Sequence, residues 1–246
     1  MMTDNILCIS QARMTSTRLP GKILKTVLGR TLLDYHVSRL LKSRTIDRLV
    51  VATTVNVSDD PVEKFCQTKN IDCVRGSEDD VLGRYAQALT DYPADIVVRV
   101  TSDCPLIDPV LVDQVIGYFL DHQDQYDYIN LGEGHYPRGL DVEVFSAKAL
   151  KKAHACGHAP HEREHVTPYI YRADSEFSCG SLPADEISGH HRWCVDEPDD
   201  FTLITNILTA FEGRDDFSWQ DCLSLVDQNP DWFTLNSAVR QKELME

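Results

Sequence analysis

Through its first 125 residues the chain alternates short β-rich runs with helical patterns, and no other feature constrains its fold as tightly. The runs at 5–10, 48–53, 71–75 and 95–100 read as strands, and the segments 31–43, 59–69, 78–91 and 108–121 read as helices. Strands that alternate with helices pair in parallel through crossovers, so the pattern predicts an α/β domain with a largely parallel sheet. Helix starts are marked in the expected chemistry. Thr31 with Asp34, Asp60 before Pro61 and Asp108 before Pro109 each offer an N-cap, two of them with Pro at the first helical position. Leu33, Val37, Leu40 and Leu41 sit at helical spacing and predict one buried face.

After residue 125 the pattern shifts to β-like segments at 126–131, 139–145, 176–182 and 190–196, with helices expected near 146–155, 162–173, 198–212 and 218–227. No Ser/Gly linker, internal repeat or low-complexity tract interrupts the chain. The 246 residues therefore read as one domain, 1–246, in which 126–246 completes the fold begun by 1–125 and covers the mouth of a site.

The site is announced by charge. Directly after the first apolar run comes "QARMTSTRLPGKIL", with Arg13, Arg18, Lys22 and the adjacent Lys25 beside the hydroxyls of Thr15, Ser16 and Thr17. The whole chain carries 24 basic and 39 acidic residues, a net charge of −15, so this cationic loop is a local exception. Such acidity argues against a nucleic-acid partner, which needs a broad basic face. A cationic loop at the carboxyl end of the first strand of an open α/β sheet suits a polyanion, with Arg giving bidentate bonds and Lys a point charge. It is neither a G-x-x-x-x-G-K-[ST] loop nor a G-x-G-x-x-G turn. A solvated loop paired with the acidic surface is the plainer alternative.

Eight cysteines, without a C-x-x-C pair and mostly inside apolar runs, read as reduced core thiols of a cytoplasmic protein. The opening "MMTDNILCIS" lacks a basic n-region, and no stretch nears the roughly 18 apolar residues of a membrane span, so no membrane partner is expected.

The loop meets every fixed position of A-R-x-x-S-x-R-L-P-G-K-x-L, and it resembles the signature of the CMP-sugar synthetases, the cytidylyltransferases that activate sialic and 3-deoxy-ulosonic acids. Further matches at 51–62, 73–85, 97–109, 139–145, 163–171 and 192–201 look most like the branch named for spore coat polysaccharide biosynthesis protein F. The resemblance implies a Rossmann-like nucleotidyltransferase domain of the glycosyltransferase-A-like type, with a central mixed, mostly parallel sheet. It also implies CTP and a sugar or sugar acid as partners, Mg²⁺ as cofactor, and a homodimer, which related synthetases often form.

Carried over residue by residue, the resemblance places Ala12, Arg13, Ser16, Arg18 and Lys22 on the CTP side, with Thr53 and Thr54 near base or ribose and Gly76 and Ser77 lining the base pocket. Asp103 and Asp196 match the family's metal aspartates; the alternative is a helix-capping or turn role, against which Asp108 already caps the helix after Asp103, while Asp199 or Asp200 could take the cap or the metal role beside Asp196. Arg13, Lys22 and Asp103 are the catalytic candidates. For the sugar, Asp141 and Glu143 alternate with Val142 and Val144 and would share one strand face, while Arg138, Arg163, His165 and Arg192 could receive an acidic sugar or order nearby acids.

"HEREH" at 161–165 matches H-E-x-x-H, but Pro160 and Pro168 confine any helix there and no third zinc ligand has a known spacing. Cys104, next to Asp103, reads as a small neighbour because the implied reaction needs no enzyme nucleophile. The implied function is transfer of CMP from CTP to a sugar hydroxyl with release of pyrophosphate. Two alternatives are a metal-dependent glycosyltransferase, for which the chain lacks a D-x-D motif, and a nucleotide-binding module without catalysis.

Overall fold

In the computed structural model, which describes residues 4–184 and 187–240, the first apolar run forms β1 (Ile6–Gln11) inside a seven-stranded sheet. Residues 1–3 of the opening segment lie outside the described residues. To one side of β1 lie β4 (Arg48–Thr54) and then β5 (Asp72–Gly76), and to the other lies β6 (Ile96–Thr101), all four in parallel. The second half extends the same sheet with β8 (Glu143–Ser146), antiparallel to β6, then β7 (Tyr128–Asn130), and finally β9 (Cys179–Ser181). A short antiparallel ribbon, β2 (Thr26–Val27) with β3 (Arg30–Thr31), stands apart. The chain leaves β1 for β4 on one side and later returns to β6 on the other, so the carboxyl end of β1 lies at the switch point where open α/β sheets hold ligands.

Both sheet faces are covered, as parallel strands require. Along β1 the side chains alternate between two cores: Ile6 and Cys8 enter one, Leu7 and Ile9 the other. The first core is packed by α1 (Leu32–Leu40), α2 (Asp60–Lys69), α4 (Pro109–Asp121), α8 (Pro198–Ala210) and α9 (Trp219–Asp227). The second is packed by α3 (Val81–Asp91), α5 (Ala147–Cys156) and α7 (Pro168–Tyr171). The short α6 (Pro160–His165) and α10 (Pro230–Thr234) complete the described helices. Among the described residues, no helix is long and apolar enough to cross a membrane.

Thr31 and Asp108 cap their helices as expected, and Asp108 uses its second oxygen to hold Trp219 N–H at 2.7 Å. Four local expectations change. The N-cap of α2 is Asp59, with Asp60 already helical, and the Asp59 side chain serves the neighbouring loop instead. Leu41 is the C-cap of α1 and is 58% exposed, so it lies outside the buried face that Leu33, Val37 and Leu40 do form. The helix expected over 162–173 breaks at Val166, whose φ of +72° lies outside helical space, and resumes at Pro168 as α7. Segment 190–196 forms no strand; it touches 138–140 through one parallel bridge, Arg138 to Arg192, and passes so close to Gly139 that a Cβ there would lie 2.5 Å from Cys194 N.

Candidate active site

The cationic loop is fastened before it reaches the site. Ala12 N–H donates to Ala52 O on β4 at 3.0 Å, and Met14 N–H donates to the fully buried Asp59 at 2.6 Å. The other oxygen of Asp59 accepts from the Thr54 hydroxyl, so one carboxyl ties the loop to the carboxyl end of β4. Within the loop Met14 O accepts from Ser16 N–H and Gly21 N–H, and Ser16 Oγ accepts from Leu19 N–H at 3.3 Å. Gly21 at φ +67° takes the left-handed turn that starts the short 3₁₀ helix Lys22–Leu24. That turn aims Lys22 back across the sheet end.

There the Lys22 ammonium lies 2.7 Å from Asp103 Oδ2 and 2.8 Å from Asp196 Oδ1. Asp103 follows β6, and its carbonyl accepts from Val195 N–H at 2.8 Å, which sews the two aspartate-bearing segments together. Asp196 Oδ2 also meets Arg18 at 3.0 Å and Arg192 at 2.6 Å. Asp200 completes the cluster: it accepts from Asp196 N–H, Glu197 N–H, Asn236 and Arg192, acting as the box that starts α8. Arg18 reaches Glu197 as well, at 3.2 Å.

These charges reinforce one another. Burial works against the Lys22 ammonium, but the charges of Asp103 and Asp196 outweigh it and lift its pKa above the usual lysine range. Burial likewise opposes ionisation of Asp103, and the Lys22 charge and hydrogen bond overcome it, holding that carboxyl well below the usual range. Asp196 is lowered by the same balance of burial against Lys22. The Cys104 thiol is pushed the other way, by burial first and by Asp103 next, so it is protonated beside the carboxylates rather than nucleophilic.

A buried chain stiffens the segment that carries Asp103. Ser10 Oγ is 2.7 Å from Ser102 Oγ and 2.8 Å from His36 Nε2, while His36 Nδ1 is 2.9 Å from Cys104 O. Burial drives the His36 pKa down to about 4, so the ring is neutral, donating from Nδ1 to the carbonyl and accepting from Ser10 at Nε2.

On the opposite wall, Arg13 pairs loosely with Glu78 at 3.5 Å, and Glu78 also accepts from Thr15 and, at 2.6 Å, from Asn56. Gly76 ends β5, Ser77 is exposed, and Arg84 holds the carbonyls of Ser77 and Glu78. Thr53 is buried on β4.

The residues expected on the sugar side do not form one group. Glu143 opens β8 and is taken up by Arg99, by Tyr128 Oη at 2.6 Å and by Thr167 at 2.7 Å. Asp141 lies before the strand begins, is exposed and accepts from Gly139 N–H, so the two acids do not share a strand face. His165 sits half-buried near Glu143 and Arg99, its pKa lowered chiefly by burial. Arg163 ties α6 to Asp80, the N-cap of α3, and Arg192 orders Asp196 and Asp200. Glu162 of "HEREH" accepts from His158 N–H and Ala159 N–H, which makes it a helix cap.

Sequence reasoning passed over Glu78, Asp59, His36, Arg99 and Glu197. A signal existed for two of them: Asp59 precedes the misassigned cap, and Glu78 directly follows the Gly76–Ser77 pair. Nothing local marks His36, because its partners are distant strand-end residues.

Comparison with known proteins agrees over nearly the whole chain. A family model described as cytidylyltransferase matches residues 7–207. An uncharacterized protein of Methanocaldococcus jannaschii, MJ1063, is 34% identical over 243 residues, covering 98% of each chain. The spore coat polysaccharide biosynthesis protein SpsF of Bacillus subtilis is 32% identical, covering 96% of this chain and 99% of its own. A solved cytidylyltransferase from Leptospira borgpetersenii superposes with a TM-score of 0.86 at 29% identity, covering 97% of this chain and 98% of that one.

Proposed function

This chain belongs to the cytidylyltransferase family, and on that premise we propose that it transfers CMP from CTP to a hydroxyl of a sugar or 3-deoxy sugar acid, releasing pyrophosphate and supplying the CMP-sugar to polysaccharide biosynthesis. The observation that carries the reading is the grip of one loop ammonium, Lys22, on two carboxylates from separate segments, Asp103 and Asp196.

In this reading Arg13, Arg18 and Lys22 hold the triphosphate and offset the charge that grows on the leaving pyrophosphate. Ala12 and Ser16 shape the loop, while Thr53, Gly76 and Ser77 line the nucleoside side. Of the residues expected on the sugar side, Glu143 and His165 lie near each other and near Arg99, and this reading assigns the acceptor to that stretch of β6 and β8.

The donor set suits Mg²⁺. Asp103 and Asp196 offer ionised oxygens that already share one cation, and among the described residues no three His, Cys, Asp or Glu side chains converge on one metal position. Two carboxylates completed by waters and phosphate oxygens are what Mg²⁺ prefers. When bound, it would polarise the phosphate and lower the pKa of the acceptor hydroxyl. The protein's own share is positioning: the Asp103–Val195 backbone bond and the Arg192–Asp200 anchor keep both aspartates together beyond the carboxyl end of β6.

The test is pyrophosphate release with each of the four nucleoside triphosphates, Mg²⁺ and a pool of sugars and sugar acids. Release with CTP alone, lost with EDTA and in Asp103→Asn, is expected. Equal release with UTP, or full activity in Asp103→Asn, would sink the assignment.

A further inference from the structure

Lys22 makes more contacts with this protein's own acids than a residue devoted to phosphate needs. Its side chain is 11% exposed, and its nitrogen occupies Asp103 Oδ2 and Asp196 Oδ1 together. The remaining oxygens are engaged: Asp196 Oδ2 by Arg18 and Arg192, and Asp103 Oδ1 by the Cys104 thiol at 3.5 Å. A metal ion at these two aspartates therefore competes with the ammonium for the same lone pairs.

We propose that Lys22 is an exchangeable internal cation: it closes the metal position at Asp103 and Asp196 until a nucleoside triphosphate draws the ammonium away, so that metal and nucleotide bind as a coupled pair. The inference rests on the cytidylyltransferase reading and adds to it a coupling between metal and nucleotide.

The physical argument is one of pairing. A metal ion arriving alone must expel an ammonium that is largely shielded from water and whose ion pairs, among the described residues, are with these same two aspartates, and an unpaired buried charge is costly. A triphosphate arriving alone would pull Lys22 from two carboxylates, leaving Asp103 without the ion pair it has here and Asp196 with Arg18 and Arg192, both acids facing the incoming phosphates. When both arrive, each cation gains an anion: the metal takes the carboxylates and Lys22 takes phosphate. The nearby Arg18 does not cover Asp103 in the same way, because its guanidinium spans Asp196 and Glu197 while Lys22 bridges Asp103 and Asp196. Coupling of this kind is reciprocal, so each ligand strengthens the other by the same factor.

The experiment measures Mn²⁺ binding to the nucleotide-free protein by electron paramagnetic resonance. Wild type is expected to bind weakly. Lys22→Met, of similar length but neutral, should bind Mn²⁺ about tenfold or more tightly, within the usual range for coupled sites. Lys22→Gln should do the same, which guards against a folding defect peculiar to one variant. Lys22→Arg, still cationic, should stay close to wild type, and adding Asp103→Asn to Lys22→Met should cancel the gain.

A structural role for Lys22 predicts the opposite sign, since loss of the cation would then loosen the site and weaken metal binding. Mn²⁺ affinity in Lys22→Met and Lys22→Gln no higher than wild type overturns the proposal, as does Lys22→Arg binding as tightly as Lys22→Met. The underlying reading is scored separately by CTP-dependent, EDTA-sensitive pyrophosphate release from wild type, which holds or fails whatever Mn²⁺ does in the nucleotide-free protein.

Discussion

Replacing Asp59 by alanine tests whether the cationic loop is shaped by a residue that never reaches the site. Asp59 is fully buried, takes the Met14 N–H at 2.6 Å and the Thr54 hydroxyl on its other oxygen, and has neither Lys22 nor Asp103 among its hydrogen-bond partners. Alanine removes both acceptors and strands an amide and a hydroxyl, each worth about 1.5–3 kcal/mol when the partner is charged. Allowing for partial recovery by water, the expected loss is about 3 kcal/mol. For a domain of this length that corresponds to a fall in Tm of about 6–12 °C. Freed from β4, the backbone between Ala12 and Gly21 would no longer present Arg13 and Arg18 together, so KM for CTP should rise about tenfold or more. Asp59→Asn keeps an oxygen for Met14 and an amide that can donate to Thr54, and should lose less than half as much of each. Circular dichroism melting and initial-rate kinetics on the three proteins decide it. An Asp59→Ala protein that melts within about 2 °C of wild type with unchanged KM would refute the tether.

Two further outcomes follow from the same geometry. His36 has a folded pKa of about 4, depressed by burial from an ordinary 6.5, so below pH 6.5 the unfolded chain binds more protons and stability falls as pH drops toward 4. Integrated, this amounts to about 3 kcal/mol, visible as a difference in urea midpoint between wild type and His36→Gln that shrinks as pH falls; a pH-independent difference would refute the assignment. Gly139 combines a φ of +101° with the 2.5 Å approach of Cys194 N, so Gly139→Ala must shift the segment bearing Asp196. It should cost about 2 kcal/mol or more and lower turnover, whereas a variant with native melting and kinetics would show that the crossing can relax.

The elements that could be read without coordinates are those whose signals are short-range. The four expected strands of the first half appear within a residue or two of their bounds, because β-rich runs next to marked helix starts such as Thr31 and Asp108 carry their own instructions, whereas the two-residue strands β2 and β3 carry no such signal. The second half was harder for a matching reason. Segment 190–196 has the composition of a strand but lies against 138–140 through a single bridge, and only the close approach at Gly139 explains why it passes there. The helix expected across 162–173 looked continuous by pattern, yet Val166 and Pro168 divide it.

By itself the sequence determined the α/β class and the cationic loop with its signature, while Asp103 and Asp196 are marked only through the family resemblance, with Asp199 and Asp200 open beside Asp196. What the tertiary structure alone decided is which charge meets which. Lys22 finds Asp103 across 81 residues and Asp196 across 174, Arg192 turns toward the acids rather than outward, and Glu143 spends its charge on Arg99 instead of joining Asp141. Local periodicity encodes which face of an element is buried, but an ion pair depends on where separate strand ends converge. That convergence is set by sheet order and by the burial that makes an unpaired charge too costly to leave alone.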